Sequence, residues 1–202
     1  NKNFINNYDK NNGYNITKLS NTKLANLLLD NQFPCLGYGN AKIPQGIGWY
    51  KDQFHNQSWH LKYFNNIDFL KTNQHCDVKI PWELSRLQFI VILAISYIET
   101  KNNEILNQYN QIIDDWIKSN PVGYGVNWTC TMEVAIRSIN LTISYMLLYD
   151  FLPSSVKEKL ENSILEHNYY IKSFPEISDT SGNHYLSNLM GLYVSNYIIF
   201  GK

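Results

Sequence analysis

Residues 103–120, NEILNQYNQIIDDWIKSN, put Ile105, Tyr109, Ile112 and Trp116 at spacings of four, three and four. On a helix of 3.6 residues per turn those four side chains share one face, and the polar residues fall opposite. Asn120-Pro121 closes the segment, because a residue before proline is pushed out of helical geometry. A helix this one-sided is stable only when its stripe is covered, so the segment demands packing partners.

The rest of the chain supplies them. From about 82, WELSRLQFIVILAISYIET places Leu84, Leu87, Val91, Ala94 and Ile95 on one side of a helix that starts just after Pro81. TCTMEVAIRSINLTISYMLLYD is apolar over much of its surface and reads as a buried helix. Pro153-Ser154 opens a helix over about 155–172, through Val156, Leu160, Ile164 and Leu165. A further long helix starts near His184 and carries Leu186, Leu189, Met190, Tyr193, Tyr197 and Ile198. Leu19, Leu24, Leu27 and Leu28 predict a first helix over 17–30. Between it and residue 66 lies a segment rich in Pro, Gly and aromatics, which reads as irregular with a short strand or two. Long segments of this kind are often functional.

Connections of about 4–12 residues join the long helices, and short links make antiparallel neighbours. No strand–helix alternation appears, which excludes a doubly wound sheet. The fold class is therefore all-α, built of stacked helical hairpins that form either an open solenoid or a curved (α/α) toroid. No fixed repeat period is visible, which argues against the common solenoids. Residues 1–60 read as an irregular segment with one helix, in the same domain as the hairpins of 61–202.

Net charge is zero and 17% of residues are charged, so the footprint of a nucleic-acid binder is missing. The apolar stretches near 87–98 and 186–200 are interrupted by Gln88, Ser96, Ser195 and Asn196, and predict no membrane span. Cys35, Cys76 and Cys130 are far apart, with no CxxC pair, and read as buried free thiols rather than a zinc site. The five histidines are scattered, so no metal or cofactor is implied. Aromatic residues reach 14%, which leaves some Tyr and Trp free to serve as flat platforms of the kind sugars stack on.

Three loop-to-helix junctions concentrate polar side chains: DVKIPWELSR, with Asp77, Lys79, Trp82, Glu83 and Arg86; GYGVNWTCTMEVAIR, with Tyr124, Asn127, Trp128, Glu133 and Arg137; and SGNHY, with Asn183, His184 and Tyr185. If connections alternate ends, the helices starting near 82, 128 and 184 begin on the same end, so the three motifs converge on one rim. Each has a plainer reading. Glu83 with Arg86, and Glu133 with Arg137, are spaced to pair along a helix. Asp114 and Asp115 read as a solvated face, and Asn183 as a helix cap. Together on one rim they read as a site.

DVKIPWELSRLQF, GVNWTCTMEVAIR and SGNHYLSNLMGL, in that order, resemble the helical N-terminal domain of the heparinase II/III-like polysaccharide lyases over roughly 60–200. The resemblance implies an (α/α) toroid that precedes a β-sandwich, with substrate in the cleft between them. It implies β-elimination at a uronic acid of an acidic polysaccharide such as heparan sulfate or alginate, and a bacterial periplasmic or secreted location. Asn183 and His184 match the family's Asn-His pair: Asn183 would neutralise the uronate carboxylate, and His184 would assist proton abstraction. Asn127, Trp128, Glu133, Arg137, Trp82, Arg86 and Tyr185 would contact substrate. The family's catalytic Tyr lies well after this motif, so it and the β-sandwich are expected outside these 202 residues. The expected partners are an acidic polysaccharide and that further domain; exposed core surface predicts self-association and little activity for the segment alone. Two alternatives remain: a toroid glycoside hydrolase using two of Glu83, Glu133 and Asp77, and a non-catalytic glycan-binding scaffold.

Overall fold

A computed structural model describes residues 21–70, 75–177 and 182–200. Helix α1 spans Asn21–Leu29; residues 17–20 of the expected first helix lie outside the described residues. Two small antiparallel hairpins follow. Strand β1 (Gln32–Pro34) pairs with β2 (Asn40–Lys42), and β3 (Lys51–Asp52) with β4 (Gln57–Ser58). The segment read as irregular thus holds four very short strands and two 3-10 turns, at Gly46–Tyr50 and Phe64–Asn66.

The long helices are α2 (Lys79–Ser85), α3 (Gln88–Thr100), α4 (Asn103–Ser119), α5 (Thr131–Leu148), α6 (Ser154–Ser173) and α7 (Asn183–Phe200). They stack in two layers. Helices α1, α3, α5 and α7 pack side by side in sequence order, and α4 and α6 cover them from one side. That is the arrangement of an incomplete (α/α) toroid, with α3–α4 and α5–α6 as its hairpins. The stripe of α4 does what its spacing demands: Ile105, Tyr109, Ile112 and Trp116 are all buried. Its start is capped locally, with the Asn102 side chain accepting the Glu104 N–H at 2.9 Å.

The inner helix α5 is buried by small and polar residues more than by bulk. Ala135, Ser138, Thr142 and Ser144 are fully covered. Thr142 and Ser144 turn their hydroxyls onto the helix's own carbonyls, those of Ser138 and Leu141. Small side chains let α7 come close. A methyl group at Gly191 would sit 2.9 Å from the Ala135 Cβ and 3.0 Å from its Cα.

The helix expected without interruption from 82 to 100 is broken. Arg86 ends α2, and Leu87 takes a left-handed conformation at φ 57° before α3 begins. The cause lies on α5. Arg137 Nη1 donates to the Ser85 carbonyl (3.3 Å), and Asn140 Nδ2 to the Arg86 carbonyl (2.8 Å). The last carbonyls of α2 therefore find partners outside the helix.

Asp115 also departs from expectation. It is no solvated residue: its carboxylate accepts the Gly46 N–H (3.0 Å) and Trp49 Nε1–H (2.7 Å), and so ties the 3-10 turn to α4. Asp114, beside it, is exposed and pairs with Lys159. The three cysteines are free; Cys35 and Cys130 are buried and Cys76 is half-buried.

Candidate active site

Contacts link the three polar junctions in a chain. Trp82 Nε1 donates to the Val126 carbonyl (2.9 Å), which ties the first junction to the second. Arg86 adds a forked ion pair to Glu133, Nε–Oε2 at 2.5 Å and Nη2–Oε1 at 2.8 Å, while its Nη1 reaches Glu83 at 2.6 Å. Glu133 is 2% exposed. Hydrogen bonding to Glu133 and the two carboxylate charges hold the Arg86 pKa above its ordinary value. Burial raises the Glu83 carboxyl, against the pull of Arg86. Both glutamates are spent on one guanidinium, so they do not form the opposed, free acid pair a hydrolase needs.

The second junction reaches the third through Glu176, in the loop between α6 and α7. Cys130 precedes the first residue of α5, and its side chain caps nothing. Glu176 Oε2 accepts the Met132 N–H at 2.6 Å in its place. The other oxygen, Oε1, faces His184 Nδ1 at 3.2 Å and the Cys130 thiol at 3.5 Å. The backbone N–H of Glu176 donates to Asn188 Oδ1 on α7 (2.9 Å), and Thr131 Oγ1 donates to the Phe174 carbonyl (2.7 Å). The loop is thus stitched to the starts of both α5 and α7.

Helix α7 begins at Asn183, with the Leu186 N–H donating to the Gly182 carbonyl at 3.2 Å. Asn183 is therefore the first helical residue and not the cap. Asn183 and His184 are exposed and Tyr185 is half-buried. Two donors and an imidazole stand at a helix N-terminus, where the backbone dipole favours an anion.

Other residues expected to touch substrate lie inside the protein. Arg137 is fully buried. Its guanidinium lies 4.5 Å from the Trp116 ring and 5.1 Å from the Trp128 ring. It donates to His167 Nε2 (2.8 Å), Ser85 O (3.3 Å) and Asn127 O (3.1 Å). Burial pulls its pKa down to about 9, which still leaves it charged at neutral pH. Asn127 is buried, donating to Trp49 O (2.9 Å) and Asn120 Oδ1 (2.8 Å), and the buried Trp128 ring packs at a tilt against His167 and edge-on against Tyr170. A polysaccharide cannot reach these three side chains, nor the Glu133 carboxylate clamped by Arg86. The expected Glu133–Arg137 pair gives way to Glu133–Arg86. Trp82 and Arg86 are part-buried, on the rim.

Sequence reasoning missed Glu176 and His167. One signal was available for the first: Cys130 is a poor helix cap, so the N–H groups opening α5 needed an acceptor from elsewhere. A separate cavity of about 450 Å³, lined by Tyr50, Trp59, His60, Leu61, Lys118 and Pro121 among others, includes none of the expected site residues.

The family profile described as "Heparinase II/III N-terminus" matches residues 2–199. Among solved structures, the fold matches heparan sulfate lyase HepC from Pedobacter heparinus, with 20% identity, a TM-score of 0.65, and coverage of 88% of this chain and 26% of that one. A mutant of the same lyase matches at 22% identity and a TM-score of 0.63, with the same coverage. This chain therefore spans about a quarter of the length of those structures. No curated protein matches it by sequence.

Proposed function

We propose, from the premise that this chain belongs to the heparinase II/III N-terminal family, that it carries the Asn-His half of a site for β-elimination on an acidic polysaccharide. A further part of the same protein would complete that site with the acid-base tyrosine that the family resemblance implies. The observation that carries the reading is the placement of Asn183 and His184. They are adjacent, exposed and at the N-terminus of α7, and His184 Nδ1 faces the Glu176 carboxylate at 3.2 Å.

The chemistry needs such a pair. The proton to be removed sits on C5 of a uronate, beside a carboxylate, and is weakly acidic while that carboxylate keeps its charge. The Asn183 amide offers two N–H donors to the carboxylate and stabilises the enolate-like dianion that forms as C5–H breaks. With Glu176 accepting the Nδ1 proton, neutral His184 has its free lone pair on Nε2, where it takes or relays a proton. The C5 electron pair then forms the C4–C5 double bond as the C4–O bond breaks, and the leaving oxygen takes up a proton. Arg86, with its charge shared by two carboxylates, is left to shape the rim rather than to bind anions.

The test is product absorbance. The protein containing this chain is incubated with a panel of uronate polymers, and the ultraviolet band of the conjugated C4–C5 double bond is followed. Asn183→Ala and His184→Ala should each cut turnover at least about a hundredfold with folding retained. No band with any polymer, or full turnover in both variants, would sink the reading.

A further inference from the structure

The Glu176 oxygen that faces His184 also faces a thiol. Cys130 Sγ lies 3.5 Å from Glu176 Oε1, His184 Nδ1 lies 3.2 Å from it, and the three atoms are all within 4.8 Å of one another. Thiolate, imidazole and carboxylate bind zinc at about 2.3, 2.0 and 2.0–2.2 Å in tetrahedral geometry. Ligand-to-ligand edges of such a tetrahedron come to roughly 3.5 Å for sulfur–oxygen and about 3.3 Å for nitrogen–oxygen. The two edges measured here already have those lengths. We propose that Cys130 Sγ, Glu176 Oε1 and His184 Nδ1 form a three-ligand site for a divalent transition metal of the zinc class.

Further features suit the assignment. The other carboxylate oxygen is held by the Met132 N–H, which fixes the ligand's orientation as carboxylate ligands are usually fixed. His184 is exposed while Cys130 is buried, so the site opens to solvent on one side and leaves a fourth position for water. Sulfur and imidazole donors select against magnesium and calcium, which prefer oxygen. Thiolate and carboxylate together carry two negative charges, so the metal-bound site is neutral overall. Binding displaces one proton from the Cys130 thiol.

Metal on Nδ1 moves the ring proton of His184 to Nε2. Occupancy and a proton-accepting role for His184 then exclude each other. That consequence depends on the elimination reading, but the binding itself does not.

The experiment uses the reduced, metal-free protein without substrate and titrates it with Co²⁺ as a spectroscopic stand-in. One equivalent should produce a thiolate-to-cobalt charge-transfer band that one equivalent of Zn²⁺ abolishes. Cys130→Ala should lose the band, and Glu176→Gln should weaken binding at least about tenfold. His184→Ala, a change at an exposed side chain, should do the same and guards against a Cys130 variant that merely misfolds. No charge-transfer band in the parent would overturn the proposal. So would a band that survives in Cys130→Ala, or Co²⁺ affinity unchanged in His184→Ala. Failure of this test would leave the elimination reading standing, because that reading needs no metal here.

Discussion

The buried pair of Arg137 and His167 makes a prediction about acid. His167 is fully buried, with the Trp116 and Trp128 rings against it. Its Nε2 accepts from Arg137 Nε at 2.8 Å, and its Nδ1 faces the Ser163 carbonyl at 2.7 Å. One nitrogen must accept and the other must donate, so the ring is neutral. Burial, then the Arg137 charge, holds its pKa well below the ordinary value. The folded pKa is depressed, so below the unfolded pKa of about 6.5 the unfolded chain binds a proton that the folded chain refuses. The stabilisation is full above about pH 6.5 and is lost as pH falls below it. Each unit of pH removes about 1.4 kcal/mol while pH stays above the folded pKa, so a drop to about pH 5 costs about 2 kcal/mol. Urea unfolding at about pH 8, 6 and 5, at fixed ionic strength, measures the loss. The control is His167→Gln, whose amide can accept from Arg137 and donate to Ser163 but cannot titrate. Carboxylates titrate alike in both proteins, so the difference in pH dependence belongs to His167. The variant should be less stable at about pH 8 and should converge on the parent by about pH 5. Parallel curves would refute the neutral, buried imidazole.

Three other outcomes follow from single contacts. Arg86→Ala strands Glu133, a nearly buried carboxylate, and should cost about 3 kcal/mol in urea unfolding; Arg86→Lys, unable to fork, should recover only part of it. Gly191→Ala should lower stability by about 1–2 kcal/mol, although helix propensity alone predicts a gain of about 1, because the new methyl meets Ala135; a thermal melt that rises would contradict the close approach of α5 and α7. Asp115→Ala removes the acceptor for Gly46 N–H and for the buried Trp49 indole N–H, and should cost about 2–3 kcal/mol with a change in Trp fluorescence; an unchanged midpoint would show that the 3-10 turn does not depend on α4.

Helices whose burial is one-sided were legible in the sequence. Ile105, Tyr109, Ile112 and Trp116 form a stripe because α4 lies on the outside, with one face in and one out. α5 is covered on most sides, so its pattern announces burial but not its partners. The same burial disguised Arg137 and Asn127. Polar side chains near a loop suggest solvent, and only the tertiary arrangement supplies the two Trp faces and three acceptors that let Arg137 sit inside. Asp115 was misread for the opposite reason: its partners, Gly46 and Trp49, are 69 and 66 residues away in sequence. At the candidate site, Asn183 and His184 could be proposed from their own motif. Glu176 could not, because its role comes from a helix start 44 residues earlier that it happens to face.

The break at Leu87 joins these threads. A non-glycine residue in the left-handed region costs of order 1–3 kcal/mol and persists only where its surroundings enforce it. Leu87 is fully buried, and the two carbonyls before it are held by Arg137 and Asn140. The Arg86 side chain is pulled onto Glu133. Three residues of α5, each within three turns of its start, thereby fix the end of α2, and Glu176 fixes the start of α5 itself. Glu83, Arg86, Asn127, Glu133 and Arg137 of the first two junctions are consumed in setting one helix end against another. Asn183 and His184 of the third junction stay exposed at the start of α7, where the proposed function needs them. Substitutions at Arg137, Asn140 and Glu133 should therefore act on stability and on the position of α2, whereas substitutions at Asn183 and His184 should act on turnover with little effect on stability.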